Sequence, residues 1–233
     1  MSQVVYYGCW DNKLLYDLEP LDSYTFSNIF NTPGDRASSI HACPAFKDAI
    51  KNTFIVKSPF TYTIDWDGNK ITSPMYDKRF FDDVIKPRTR DSGFLSYKAP
   101  KPVFIAEGND LNITEGPAYF HNNDITNKSY MVPGSYNIGK HILRPLELAM
   151  KFKTPGTIKI TEGDALYYIK FHTEEEIIFK KFVMTPDITN LCSAILSTRE
   201  YTNNFKSIKW WYSLVARHNF KNYILKKIKQ NLL

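Results

Sequence analysis

Two residue types that bind zinc lie two positions apart in the stretch SIHACPAF, which contains His41 and Cys43. Cys9 of GCWD could supply a third ligand only if folding brought it close to His41 and Cys43. Zinc sites in proteins use four ligands, or three ligands and a water molecule, and the ligands usually come in closely spaced pairs. Because a second pair is missing, the sequence favours a histidine at a loop-to-helix boundary and a small buried cysteine over a metal site.

A metal site assembled from distant loops is the alternative, and it would belong to an enzyme on a β-sandwich scaffold. Iron sites of this kind need two histidines and a carboxylate, usually spaced His-x-Asp or His-x-His, and none of the five histidines has that spacing. In VPGSYNIG, which is similar to a cupin motif, Tyr136 stands where a ligand histidine would be. The sequence therefore predicts no cofactor. The candidate metal ligands of the alternative are His41, Cys43, His121, Asp124 and His172.

Motifs for nucleophilic or phosphate chemistry are also missing. The serine of PGSYN and the cysteine of NLCSA lack the flanking glycines of a nucleophile elbow. The ten glycines never cluster as GxGxxG or GxxxxGK. Acids in TIDWD and FDDV could share a proton only if burial held them together, and turn formation explains them more simply. We assign no catalytic residue, and the sequence leans towards a protein that is not an enzyme without deciding the question.

The chain after Glu200 has a composition of its own. It contains seven lysine and arginine residues and no acid, while the whole chain has a formal net charge of +6, so the preceding part is close to neutral. Tryptophan, tyrosine and arginine often anchor protein interfaces. The sequence predicts a partner-binding surface formed by Trp210, Trp211, Leu214, Arg217, Lys221 and Tyr223.

Several interpretations of this segment stay open. Packing on the chain's own body is favoured, with the lysines in solvent and their stems over apolar surface, and docking on a partner comes next. Residues 206–229 could instead bind nucleic acid, with lysines on phosphates and stacked aromatic rings. A membrane-surface helix would keep basic residues off its apolar face. Because Arg217 and Lys221 fall on that face, we expect two helices that meet near residues 218–219.

Cysteine use and hydropathy indicate a reducing compartment and no membrane span. The three cysteines, Cys9, Cys43 and Cys192, are too few and too scattered for a disulfide framework. The start, MSQVVYYGCWDNK, has no basic region followed by an apolar run, and no stretch approaches about 18 uncharged apolar residues. The sequence therefore predicts an intracellular protein in whichever cell makes it.

The elements that must position these residues are mostly strands. Turn formers such as TPGD, DWDGN and VPGS punctuate residues 1–160 and predict short strands with long loops. FTYTIDWDGNKIT alternates apolar and polar residues before Asp67 and Gly68, which predicts a hairpin. Residues 156–184 predict three consecutive antiparallel strands that pair as a meander.

Helical spacing marks two further segments. Residues 43–54 predict a short helix with Pro44 in its first turn, and residues 185–201 predict a longer one with Thr185 as its N-cap. The predicted fold class is α+β, predominantly antiparallel β, with a sandwich or jelly-roll-like body and C-terminal helices. We divide it into a β-rich body over residues 1–184, with one short helix near 43–54, and a helical segment over residues 185–233 that packs on the body or docks a partner.

Three stretches of the chain resemble an uncharacterised protein family of tailed bacteriophages, notably T4-like phages of marine bacteria. They are VVYYGCWDNKLLYDLEP, CPAFKDAIKNTFIVKSPF and ITEGDALYYIKFHTEE. The resemblance brings no activity and no functional residue. It implies a product of an infected bacterium, located in the host cytoplasm or in the virion, with a role in virion structure, assembly or host takeover.

The sequence as a whole favours a non-enzymatic phage protein for interaction, structure or assembly that uses an aromatic-rich β body and a basic helical tail, since 15% of its residues are aromatic. Its expected partner is a phage or host protein. The alternatives are a metal-dependent enzyme on a β-sandwich scaffold and a nucleic-acid-binding protein that uses the basic residues of 206–229. A homo-oligomer also stays open.

Overall fold

The computed structural model describes residues 2–30, 43–75, 77–87, 93–140, 143–201 and 220–233. The strands in these parts are β1 (Ser2–Cys9), β2 (Glu19–Pro20), β3 (Thr53–Lys57), β4 (Tyr62–Trp66), β5 (Ile71–Thr72), β6 (Ile85–Pro87), β7 (Phe94–Tyr97), β8 (Pro102–Ala106), β9 (Asn112–Pro117), β10 (Ser129–Met131), β11 (Gly134–Asn137), β12 (Leu148–Phe152), β13 (Gly156–Ile160), β14 (Ala165–Phe171) and β15 (Glu176–Lys181). The helices are α1 (Ser23–Phe30), α2 (Pro44–Ile50), α3 (Lys78–Val84), α4 (Asp124–Lys128), α5 (Pro186–Tyr201), a 3-10 turn (Asn12–Leu14) and a C-terminal helix (Phe220–Lys229).

The main core lies between two sheets, one in the order β15-β1-β8 and the other in the order β11-β9-β14-β3-β2. Aromatic rings join them: the ring centroids of Phe104 and Phe171 are 5.6 Å apart, and those of Phe54 and Phe179 are 4.9 Å apart. Edge-to-face ring pairs of this kind add to the stabilisation that burial gives. The sandwich-like body and the α+β class are as predicted. Among the described residues, only β1 and β15 pair in parallel.

Helices cover the outer faces of both sheets. Because side chains alternate along a strand, Tyr6 of β1 points away from the main core and joins a second core with Ile188 of α5 and with Ile224 and Ile228 of the C-terminal helix. On the other sheet, Tyr168 of β14 belongs to a third cluster that includes residues next to and within α1 and α2. The sandwich is therefore enclosed between two helical layers.

Two smaller sheets, in the orders β10-β12-β7-β6 and β13-β4-β5, extend the body. The ladder between β3 and β14 continues into the ladder between β4 and β13, with an interruption at Ser58 and residues 161–164. Backbone hydrogen bonds bridge the gap, since Ser58 N donates to Asp164 O and Gly163 N donates to Ser58 O. One long, bent pair of segments thus connects the sandwich to the smaller sheet.

The predicted meander over residues 156–184 is wrong in its pairing, although all three strands form. β13 pairs with β4, β14 lies between β9 and β3, and β15 runs parallel to β1. The burial patterns give the reason. β14 is buried at nearly every position, so water cannot satisfy its backbone N–H and C=O groups and a strand on each side pairs them. β15 instead alternates between exposed and half-buried residues, as suits a sheet edge.

Predictions from local turn and helix-start residues were more reliable than the predicted strand pairing. The hairpin of β4 and β5 turns at Asp67 and Gly68, where Gly68 has a positive φ of 101° and the Asp67 carboxylate accepts hydrogen bonds from the backbone of Asn69 and Lys70. The predicted helix near 43–54 is α2, which is shorter than expected because the chain leaves it at Lys51 for β3. The body also contains α1, α3 and α4, which the sequence analysis did not predict.

Cys9, Cys43 and Cys192 are free thiols. Burial raises the pKa of the Cys192 thiol to about 12, so this side chain behaves as a small apolar residue. None of the helices in the described ranges combines the length and the apolar character that a membrane crossing requires.

Candidate ligand-binding pocket

The residues predicted for the tail surface are only partly described. Four of them lie outside the described residues: Trp210, Trp211, Leu214 and Arg217. The candidate metal ligand His41 and the predicted helix junction near 218–219 also lie outside them. Lys221 and Tyr223 lie on the C-terminal helix, where Lys221 is half-buried and Tyr223 is exposed.

The described part of the tail packs on the chain's own body. Ile224, Leu225 and Ile228 are buried in the second core. The Lys221 ammonium donates to the backbone carbonyls of Glu107 and Gly108, at 3.1 and 2.6 Å, and Lys227 and Lys229 pair with Asp187 and Glu107, respectively. Lys221 and Lys229 are therefore engaged with the body, and Lys227 is engaged with α5.

We expect Lys221→Met to lower the free energy of unfolding by about 1 kcal/mol, because the ammonium that holds the turn between β8 and β9 would be lost from a partly exposed site. Burial lowers the pKa of Lys221 more than the nearby Glu107 carboxylate raises it, which agrees with a partly desolvated ammonium. Urea unfolding would measure the change. Lys226→Met, on the exposed side of the same helix, is the control. Equal effects of the two substitutions would contradict the anchoring role.

The described candidate metal ligands bind other groups. Nδ1 of His121 is 2.7 Å from the Tyr168 hydroxyl, and Nε2 of His172 is 2.7 Å from the Thr114 hydroxyl. Asp124 pairs with Lys128 at 2.9 Å on α4. Cys43 is exposed just before α2. Within the described ranges, no three His, Cys, Asp or Glu residues come close enough together to hold a metal ion.

A pocket of about 360 Å³ opens beside His121. We call it the Tyr119 pocket. It is formed by residues 117–122 after β9, by α4, and by Ser129, Met131 and Leu166. Small-molecule sites in proteins commonly have volumes of ~300–1,000 Å³ and mix apolar walls with a few polar groups. This pocket meets both criteria.

Local hydrogen bonds fix the wall of the pocket. Asn123 caps α4 by accepting from Thr126 N, and its Nδ2 donates to Ala165 O of β14 at 2.8 Å, which ties the loop to the sheet. The Thr126 hydroxyl donates to His121 O, and His121 N donates to Ala118 O. These bonds join the loop to both α4 and β14.

Tyr119 is the exposed aromatic residue of this wall, with 61% of its surface accessible. Its ring centroid lies 4.4 Å from that of Phe120 and 5.4 Å from that of Tyr168. Both neighbouring rings pack against Tyr119. The rest of the ring is available to a ligand.

The polar side chains that line the pocket are uncharged. Burial lowers the pKa of His121, and the nearby Lys57 ammonium lowers it further, so the imidazole is neutral at neutral pH. Nδ2 of Asn127 donates to Oδ1 of Asn122 at 2.7 Å. None of the described side chains that line the pocket is an acid, a lysine or an arginine.

A second polar cluster lies in the main core around Glu115 of β9. Glu115 is only 2% exposed, and burial raises its pKa to about 7, although a hydrogen bond from Tyr136 and the Arg144 charge act in the opposite direction. Its Oε1 atom has no hydrogen-bond partner within the described residues. The carboxylate charge also raises the pKa of the buried Tyr167 hydroxyl, whose pKa is raised mainly by burial.

Sequence reasoning found one residue of the pocket, His121, but for a metal site. It missed Tyr119, Phe120, Asn122 and Asn127. The stretch PAYFHNND carried a signal: two aromatic residues, a histidine and two asparagines directly follow a strand.

Comparison of the chain with protein-family models, with curated proteins and with solved structures gave no match.

Proposed function

We propose that the protein is a non-enzymatic interaction protein of a tailed bacteriophage and that it binds its partner through the Tyr119 pocket. It would be located in the host cytoplasm or in the virion. Its role would be in virion structure, assembly or host takeover. The partner would be a phage or host macromolecule, with a protein as the first expectation. The resemblance of the three sequence stretches to phage proteins supports this setting.

One observation carries the proposal: Tyr119 is exposed while its ring position is fixed. An exposed aromatic ring gains little from folding, but in an interface it buries a large apolar area at a low cost in conformational entropy. Phe120 and Tyr168 hold the Tyr119 ring in place, so the cost of ordering it is already met. Tyrosine is also enriched among the residues that dominate binding energy.

The titratable groups of the described candidate sites support binding rather than turnover. His121 and His172 bond to hydroxyl groups, and Asp124 pairs with Lys128. The two histidines join neighbouring parts of the chain, and Asp124 also accepts a hydrogen bond from Lys159 N of β13, so each group stabilises the fold. Recognition of a partner requires no further chemistry from His121, His172 or Asp124.

The decisive experiment compares Tyr119→Ala with Tyr130→Ala. Tyr130 is equally exposed, at 62% of its surface, but lies on β10 outside the pocket wall. Partners captured from extracts of phage-infected bacteria would be purified and titrated against each variant by calorimetry. We expect saturable binding without chemical change of the partner, and at least about tenfold weaker binding by Tyr119→Ala, which is the effect of losing roughly 1.4 kcal/mol.

Thermal unfolding is the second measurement, and we expect both variants to be close to the parent protein because the two side chains are exposed. Equal affinity of the two variants for the purified partner would show that the pocket is not the binding surface. Conversion of the partner to a product by the parent protein would contradict a non-enzymatic function.

A further inference from the structure

We infer that the group entering the Tyr119 pocket is a neutral saccharide unit carried by the partner. This inference rests on the proposed function, since it names the ligand class of the same site. It follows from the size of the pocket, from the aromatic ring at its wall, from the polar atoms around it and from the absence of charge among the described lining side chains.

The size limits the ligand to a small ring system. The pocket has a volume of about 360 Å³, which is near the lower end of the range for small-molecule sites. Its floor is apolar, since Ile125 and Leu166 are buried there. A single sugar ring or a short terminal segment of a glycan suits these dimensions better than a long peptide or a helix.

The ring of Tyr119 suits one face of a pyranose. A pyranose carries C–H groups on its faces and hydroxyl groups around its edge, so it can stack its C–H groups on the electron-rich face of an aromatic ring. Tyr119 lines the pocket with 61% of its surface exposed, while its ring contacts those of Phe120 and Tyr168. A flexible side chain would have to be ordered first.

The edge of the sugar would meet amide and imidazole groups. The hydrogen bond from Asn127 Nδ2 to Asn122 Oδ1 uses one side-chain amide hydrogen and one side-chain oxygen. Within the described contacts, this leaves Nδ2 of Asn122 as a donor and Oδ1 of Asn127 as an acceptor. Nδ1 of His121 is bonded to the Tyr168 hydroxyl, so Nε2 is the imidazole atom available to a ligand. Donors and acceptors side by side match hydroxyl groups, which both donate and accept.

Charge argues against other ligand classes. None of the described lining side chains would give a counter-charge to a phosphate, a carboxylate or an ammonium group, which would lose water in this pocket. Two ammonium groups that act on lining residues are already engaged, since Lys57 pairs with Glu19 and Lys153 donates to the backbone carbonyls of Thr126 and Asn127. A wholly apolar ligand would instead cover the amides of Asn122 and Asn127 without pairing them. A neutral ligand with an apolar face and a hydroxylated edge avoids both costs.

An array of neutral and acidic glycans, followed by NMR titration with the hits, tests the inference. Adenosine and a free phosphate salt serve as probes of the competing ligand classes. We expect one or more neutral glycans to bind, to shift the signals of His121 and Asn127, and to keep their affinity when salt is raised, since no ion pair is involved. Tyr119→Ala should weaken the binding at least about tenfold, and Tyr130→Ala should leave it unchanged.

Three outcomes would overturn the inference. The first is that no neutral glycan binds. The second is that only acidic glycans, phosphate or adenosine bind. The third is that neutral glycans bind the parent and Tyr119→Ala equally. If no glycan binds but binding of the purified partner still requires Tyr119, the saccharide inference is wrong and the proposed function stands. If a neutral glycan binds and is cleaved, the ligand class is right and the non-enzymatic function is wrong.

Discussion

Replacing Phe182 with alanine is expected to lower the free energy of unfolding by about 3–5 kcal/mol, the usual range for a buried phenylalanine. The side chain is fully buried, and its ring lies directly over Gly8 of β1, where an added Cβ would come within 2.8 Å of it. It belongs to the second core with Ile188 and Ile224, and so connects the sheet to α5 and to the C-terminal helix. Loss of the ring should therefore loosen both helices.

Chemical denaturation would measure this change, and hydrogen exchange would follow the amides of residues 220–229. Ile178→Ala is the matched control, because Ile178 is a large apolar residue on nearby β15 that is 40% exposed. We expect the control to cost much less and to leave exchange in the C-terminal helix unchanged. Similar costs for both substitutions, or unchanged exchange in Phe182→Ala, would contradict this account of the second core.

Glu115→Gln should stabilise the protein by up to roughly 3 kcal/mol at pH 8 and have little effect at pH 4. In the folded chain, burial raises the pKa of Glu115 from an ordinary value of 4.5 to about 7. Each tenfold loss in acidity corresponds to about 1.4 kcal/mol. Glutamine keeps the shape of the side chain and removes the charge, so it avoids the cost of ionising a buried carboxyl group.

The sign follows from proton uptake. Between pH 4.5 and about 7, the folded chain keeps the proton on Glu115 while the unfolded chain has lost it. Stability contributed by this group therefore falls as the pH rises through that window, and it levels off above the folded pKa. Below pH 4.5 both states are protonated and the group contributes no difference.

Urea unfolding of the parent and of Glu115→Gln between pH 4 and pH 8 would measure this dependence. Glu162→Gln is the control, because Glu162 is exposed in the turn between β13 and β14. We expect the difference in free energy of unfolding between Glu115→Gln and the parent to grow with pH. The same difference for Glu162→Gln should stay constant. A difference that is independent of pH would show that Glu115 is ionised in the folded protein without cost.

The candidate site was largely beyond the reach of the sequence. His121 attracted attention as a metal ligand, but its imidazole is bonded to Tyr168, which is 47 residues away in the chain. Tyr119 became a candidate only because Phe120 and Tyr168 hold its ring while leaving it exposed. Exposure and support of this kind depend on residues that no local pattern connects.

Elements set by short-range interactions followed from the sequence alone. Asp67 and Gly68 specify the turn of the β4–β5 hairpin, and Pro186 opens α5, because a few neighbouring residues determine these backbone conformations. The α+β class followed from the spacing of apolar residues and turn formers. The separate composition of the tail favoured packing on the body over docking on a partner, and it left nucleic-acid binding by residues 206–229 open.

The tertiary structure decided which strands pair, which charges are buried and where a pocket opens. Turn residues marked the ends of β13, β14 and β15, but burial on both faces sent β14 between two distant strands. The same pairing buries Glu115, which faces Ile169 across the ladder. These outcomes depend on contacts between residues far apart in the chain. The free energy of each contact is set by the surface area that the strand pairing removes from water, and that area is defined only in the folded chain.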